Sequence, residues 1–152
     1  MLLMVDTGLR LNEIATLRLD AIDFDRRTIR VMGKGEKERM LAMGERSMQA
    51  LQQCLNGRTY LWHSQRSHTA MKRDGVYRLL RRLGKRTGLR VHPHRFRTTF
   101  AILFDEQTNG DIGSLQILMG HSRVETTLQY IAAGRARRAL NRQRAIPLAD
   151  GL

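Results

Sequence analysis

A chain of 152 residues with 27 basic and 14 acidic side chains, a formal charge of +13, is suited to a polyanionic partner, nucleic acid before membrane. Its single cysteine, Cys54, excludes a disulfide framework and a cysteine-rich metal site, and Met1-Leu-Leu-Met-Val5 is too short for a signal sequence or a membrane span. The expectation is one cytosolic domain, large enough for a real core and free of internal repeats, low-complexity segments and heptads.

Met1 to Val5 reads as the last turn of a helix whose beginning lies upstream, so the chain is expected to be a fragment of a longer protein. Asp6-Thr-Gly-Leu-Arg10 reads as a turn, and Asn12 as the N-cap of a helix to about Arg18, with Glu13 favourably placed in its first turn. Arg10 then sits on the entry bend, where by itself it is an ordinary surface arginine paired with Glu13. Three short strands follow, Ala21 to Phe24, Thr28 to Met32 and Glu38 to Leu41. In the second, Ile29 and Val31 alternate with Thr28, Arg30 and Met32, the period of a half-buried strand. Asp25-Arg-Arg27 makes one turn and Gly33-Lys-Gly-Glu-Lys37 the other, its glycines allowing a hairpin's positive φ. Lys34 thereby lies on a hairpin tip. The spacing is not that of a phosphate-cradling Walker loop.

Glu45 to Leu55 is expected to be an amphipathic helix with Met48, Leu51 and Leu55 on one face, ended by Asn56-Gly57. Arg58 to Met71 reads as a loop with an apolar patch at Tyr60, Leu61 and Trp62; His63 and His68 there have no paired ligands to make a metal site. Asp74 can cap a helix that stops at Gly88, with Val76, Leu79, Leu80 and Leu83 as its core stripe. Arg78, Arg81, Arg82, Lys85 and Arg86 flank that stripe, and Asp74 is the only acid from Lys72 to Arg97, so this block is a candidate for phosphate-backbone contact.

His92-Pro-His-Arg-Phe-Arg97 opens the next helix, with Pro93 suited to its first position. His94 and Arg97, three apart, share a face at an anion-favouring helix N-terminus, and Phe96, Phe100, Leu103 and Phe104 are expected to form the apolar stripe on the other side. Asp111 to Met119 reads as a helix stopped by Gly120. Ser122 and Glu125 form a capping box that starts a new helix at Arg123. His121 is thus in a tight joint and Tyr130 near the far end of the second helix. Arg135, Arg137, Arg138, Arg142 and Arg144 suggest a final basic helix, followed by a loosely attached tail from Ile146.

Two arginines, two histidines, one lysine and one tyrosine stand out from this pass: Arg10, Arg97, His94, His121, Lys34 and Tyr130. A tyrosine can attack phosphorus covalently when its proton is accepted and the phosphate charge is neutralised. Arginines can clamp the non-bridging oxygens bidentately, histidines can donate to them or move protons, and a lysine can protonate a departing oxygen. No aspartate pair is spaced to hold magnesium, so the chemistry suggested is metal-free phosphoryl transfer without a cofactor.

The sequence resembles the catalytic domain of the tyrosine recombinases, the phage-integrase family. The matching pieces are Thr7-Gly-Leu-Arg10 with Glu13, Gly33-Lys-Gly-Glu-Lys-Glu-Arg39, His94-Arg-Phe-Arg97, Met119-Gly-His121 and Glu125-Thr-Thr-Leu-Gln-Tyr130. They occur in the family's order over residues 7 to 130 with its nine-residue step from His121 to Tyr130. Each motif alone is weak; five in order form a specific signal. The resemblance implies a mainly α fold with a small three-stranded antiparallel β-sheet. Residues 1–152 would be a catalytic domain without the family's N-terminal core-binding domain, 135–152 being a C-terminal helix and tail. Arg10 and Arg97 would bind phosphate, and His94 would accept a proton or donate to the oxyanion. His121 would donate to the scissile phosphate, Lys34 would protonate the leaving 5′-oxygen, and Tyr130 would form a 3′-phosphotyrosyl link. Glu13 would hold the arginine turn. Thr98 departs from the pattern, standing where relatives often carry a histidine.

The implied function is that of a DNA integrase or site-specific recombinase. Related readings are type IB topoisomerase-like cleavage, against which the short hairpin and compact motif spacing argue, and a non-catalytic basic DNA-binding remnant. The implied partner is double-stranded DNA, with self-association on DNA through the C-terminal tail and no membrane. Arg10, Lys34, His94, Arg97 and His121 are expected around one basic cleft, with Tyr130 free to lie outside it.

Overall fold

The computed structural model describes residues 1–33, 38–53, 57–64 and 69–146. Apolar alternation builds its sheet. Strands β1 (Ile22–Asp23), β2 (Thr28–Met32) and β3 (Glu38–Ala42) pair antiparallel in the order β1-β2-β3, with Ile29 opposite both Ile22 and Leu41 and Val31 opposite Arg39. Ile29, Val31 and Leu41 point into the core, while Met32 and Met40 are exposed on the other face. The inward slot between Val31 and Leu41 holds a charged residue, Arg39. Lys34, which the sequence places between β2 and β3, lies outside the described residues, as do Cys54, Leu55 and His68.

Seven helices accompany the sheet among the described residues: α1 (Leu2–Thr7), α2 (Leu11–Ala15), α3 (Glu45–Gln52), α4 (Arg73–Thr87), α5 (Pro93–Gln107), α6 (Ile112–Met119) and α7 (Val124–Arg144). A 3-10 turn (Leu19–Ala21) joins α2 to β1. Pro93 occupies the first turn of α5, and Gly88 and Gly120 end α4 and α6 in the left-handed conformation, as their sequence context predicts. Val76 and Leu80 are fully buried, each contributing about 1.5–3 kcal/mol of apolar transfer free energy.

Several expected boundaries move. The helix predicted after Asn12 begins at Leu11 and is only five residues long; Arg10 is its N-cap, and the Glu13 carboxylate accepts the Arg10 backbone N–H at 2.7 Å. Ser122 does not cap α7, which starts at Val124 with Arg123 at the N-cap and no side-chain cap bond. The expected final basic helix is not separate: α7 runs unbroken through Tyr130 to Arg144, because Gly134 continues the helix where it packs tightly on Ile102. Leu103 is 41% exposed rather than part of an apolar stripe, and the buried face of α5 is Pro93, Arg97, Phe100, Ala101 and Asp105. Arg97 therefore lies on the core side of its helix.

The core has two lobes. One lies between the sheet and α1 to α4, the other between α5, α6 and α7 around Phe100, Ala101, Leu115, Met119 and Ile131. Leu118 packs against both. α1 crosses to α5 at Gly8, whose φ of 59° and lack of a side chain let the Phe100 ring lie on its backbone. No helix among the described residues is long and apolar enough to cross a membrane.

Candidate active site

A helix leaves its last carbonyls without intrahelical partners and carries partial negative charge there. At the end of α6, three consecutive carbonyls are met by three arginines from distant segments. Leu118 O accepts from Arg39 Nε at 2.9 Å, Met119 O from Arg97 Nη2, and Gly120 O from Arg10 Nη2 at 2.8 Å. Arg97 Nη1 also donates to Gly8 O. Two left-handed glycines, Gly8 and Gly120, thus each offer a carbonyl to an arginine. Gly120, with φ 61°, brings its backbone within reach of Arg10 and Arg39 together.

Glu13 ties two of these arginines. Its Oε1 accepts from Arg10 Nη1 at 3.0 Å and its Oε2 from Arg39 Nη2 at 2.8 Å. Burial favours the protonated acid, but the hydrogen bonds from Arg39 and from the Arg10 backbone outweigh it, so the carboxyl titrates below its ordinary range. Arg97 is 3% exposed, and burial followed by the neighbouring charge of Arg10 pulls its pKa down from the usual value.

The imidazole of His121 lies between two elements, with Nε2 at 2.9 Å from Arg97 Nη2 and Nδ1 at 3.0 Å from Thr127 Oγ1. A guanidinium has only donors, so Nε2 is the acceptor and Nδ1 carries the proton, given to the fully buried Thr127. Burial first, then the charges of Arg97, Arg10 and Arg39, push the His121 pKa down to about 4. At neutral pH this ring is uncharged.

Tyr130 is inside the cluster, not outside it. Its ring centre is 5.0 Å from that of His94 and 5.2 Å from that of His121, and the Arg97 guanidinium carbon lies 5.7 Å from it. Arg10, His94, Arg97 and Tyr130 line one cleft of about 550 Å³. The structure therefore brings together five of the six candidates from the sequence, Arg10, His94, Arg97, His121 and Tyr130, while Lys34 lies outside the described residues. The cleft also holds Arg73, Tyr77 and His92, the last two in edge contact at 5.8 Å. Arg73 and His92 carried no assignment from the sequence, though Arg73 belongs to the acid-poor block that had pointed to phosphate. Tyr60 does not line the cleft; it packs under Arg18. No group of three His, Cys, Asp or Glu side chains among the described residues is arranged to hold a metal ion.

Arg10 held by a carboxylate, the buried Arg97, His94 and Tyr130 thus face one cleft, with the neutral His121 against Arg97 and Tyr130, on a helical domain with a small antiparallel sheet. Residues 1–137 match the sequence profile of the phage integrase family, and the chain belongs to that family. It is 37% identical over 137 residues to the tyrosine recombinase XerC of Histophilus somni (strain 2336), a match covering 84% of this chain and 46% of that protein. It is 33% identical over 135 residues to a probable integrase/recombinase of Acholeplasma phage L2, covering 85% and 46%. The chain thus spans about half the length of the curated relatives it matches. Among solved structures, XerA recombinase superposes with a TM-score of 0.75 at 30% identity over 91% of this chain and 56% of that one. The XerH site-specific recombinase bound to palindromic difH superposes with a TM-score of 0.76 at 23% identity, over 95% and 44%, a likeness of fold alone.

Proposed function

We propose that this chain is the catalytic portion of a DNA integrase or site-specific recombinase, which cleaves and rejoins double-stranded DNA through a 3′-phosphotyrosyl intermediate. The observation that carries this reading is the placement of Tyr130 against His94, His121 and Arg97 in the cleft that Arg10 also lines. The Tyr130 Oη attacks phosphorus while His94, exposed at the mouth, accepts its proton. Arg10 and Arg97 neutralise the non-bridging oxygens, and their bonds to backbone carbonyls hold them oriented before the phosphate arrives. The P–O5′ bond breaks as the O–P bond to tyrosine forms, and Lys34 protonates the departing 5′-oxygen. Rejoining is the same sequence reversed. Likeness to a tyrosine recombinase and to recombinases solved on DNA supports double-stranded DNA as the partner. A cytoplasmic, DNA-associated setting and self-association on DNA through the C-terminal segment 135–152 belong to the same reading, as does the assignment of residues 1–152 to a catalytic domain.

A nicked suicide substrate containing the cognate site tests it. In the presence of a chelator it should trap a denaturant-resistant adduct that is lost in Tyr130→Phe and kept in Tyr77→Phe. An adduct that survives Tyr130→Phe moves the nucleophile elsewhere, with Tyr77 next in the same cleft. Lys34→Ala should be slow on ordinary DNA by roughly 10²–10⁴-fold and recover on a 5′-bridging sulfur substrate, whose thiolate leaves without a proton. Equal slowness on both substrates would make Lys34 a positioning or DNA-binding residue.

A further inference from the structure

We infer that Arg39 is a positioning residue that locks the Arg10 turn and the His121 joint into one phosphate-facing frame, an inference that rests on the phosphate-binding reading above. Arg39 occupies an inward position of β3, where alternation calls for an apolar side chain. Its side chain is only 7% exposed. Burying a guanidinium costs solvation, and an apolar residue of similar size often serves stability as well or better. Its Nη1 is enclosed without a hydrogen-bond partner, beside the Cα of Gly120, where an added Cβ would come within 3.3 Å. Stability alone thus gives little reason for an arginine here.

Its contacts do give one. Nη2 takes Oε2 of Glu13, the carboxylate whose other oxygen fixes Arg10 Nη1. Nε takes Leu118 O, in the last turn of the helix whose next carbonyls hold Arg97 and Arg10 and whose following residue is His121. One rigid planar group therefore joins segments 26 and 79 residues away in sequence. Arg39 does not line the cleft, so it acts through Arg10 and His121 rather than on DNA. After burial and the charges of Arg97 and Arg10, its charge also acts on the imidazole of His121 in the sense that keeps the ring neutral.

The test uses the full chain with Arg39→Met and Arg39→Lys, read by the NMR titration of His121 and by adduct formation on oxygen and 5′-bridging sulfur substrates. Arg39→Met should raise the His121 midpoint from about 4, since a cation is removed, and slow adduct formation on the order of 10²-fold. The slowing should be equal on both substrates, because charge stabilisation and not proton supply is lost. Arg39→Lys keeps the charge but cannot reach Glu13 and Leu118 O with one plane; it should leave the His121 midpoint low and restore only part of the rate. A folded Arg39→Met with wild-type rate and an unmoved His121 midpoint overturns the inference. A wild-type rate in Arg39→Lys overturns the claim of a two-point frame, and this variant decides the matter if Arg39→Met fails to fold. Rescue by sulfur overturns it in favour of action through the hairpin lysine. If the wild-type chain forms no adduct at all, the recombinase reading fails, while the His121 titration still reports on Arg39.

Discussion

The donor role that the family resemblance implies for His121 calls for a proton on a ring nitrogen, and the nitrogen beside Arg97 here accepts instead. His121 is neutral because burial and three arginines oppose its protonation, and its Nε2 lone pair faces Arg97. Its folded pKa of about 4 lies below the ordinary 6.5, so the unfolded chain takes up the proton first as pH falls. The stability it supports is present above about pH 6.5 and drains away between there and about 4. Thermal melts at pH 7 and pH 5 should show this loss, and the gap should narrow in His121→Asn. A bound phosphodiester places negative charge beside Arg97 and Arg10 and should raise the His121 pKa. DNA binding near pH 5 should then be accompanied by proton uptake, seen by calorimetry in buffers of different ionisation enthalpy; buffer-independent heats would argue against it. Gly120 is the other sensitive position. Gly120→Ala meets both φ 61° and the Arg39 guanidinium at 3.3 Å, and should cost about 1–2 kcal/mol for the backbone alone, measured by urea unfolding.

At the scale of elements, α7 carries the tyrosine in one half and a clasp in the other. Asp105 on α5, with a fully buried side chain, accepts from Arg135 Nη2 at 2.7 Å and from Arg138 Nη2. Burial opposes its ionised form, but hydrogen bonds from Arg135 and Arg138 prevail and keep its pKa below the usual carboxylate range. Glu106 adds an ion pair with Arg138, its Oε1 3.0 Å from Nη1. Between tyrosine and clasp, Gly134 lets α7 lie close on Ile102. The helix cannot slide or rotate without breaking these bonds, so the clasp sets where Tyr130 stands. Asp105→Asn removes the charge and should destabilise the chain by about 2 kcal/mol, within the range for hydrogen bonds to charged groups. Denaturant melts measure that loss. A neutral result would mean that apolar packing of α5 on α7 holds the helix unaided.

For the whole molecule, the excess of 13 positive charges has a direction. On α4, Arg73 and Tyr77 line the cleft, and Arg81 lies a further turn along the same face, exposed. A duplex seated on Arg10 and Arg97 that also follows this face of α4 would meet both Arg73 and Arg81. DNA affinity should fall steeply with salt through counterion release, and Arg73→Ala and Arg81→Ala should each lower the log–log slope by about 0.9 for every phosphate they leave without its cation. Titration of affinity against salt checks this, and an unchanged slope would place the duplex on another face.

What the sequence determined by itself was local: strand alternation, helix stops at Gly88 and Gly120, the proline at the start of α5, and a set of motifs with spacing specific enough to mark six candidate residues. These are legible because each rests on side chains a few residues apart. Helix starts were less legible, since Arg10, Lys72 and Arg123 sit at N-caps without the capping side chains that announce a helix. Only the tertiary structure decided which face of α5 is buried, where Tyr130 stands, which nitrogen of His121 bears the proton, and that Arg39 and Thr127 support the cluster. Three arginines from β3, α5 and the turn before α2 converge on consecutive carbonyls of α6. Every residue has a carbonyl, so an acceptor of this kind leaves no mark in the sequence. It becomes specific only when folding places a helix end, whose last carbonyls lack intrahelical donors, beside guanidinium groups, two of them, Arg39 and Arg97, buried away from water.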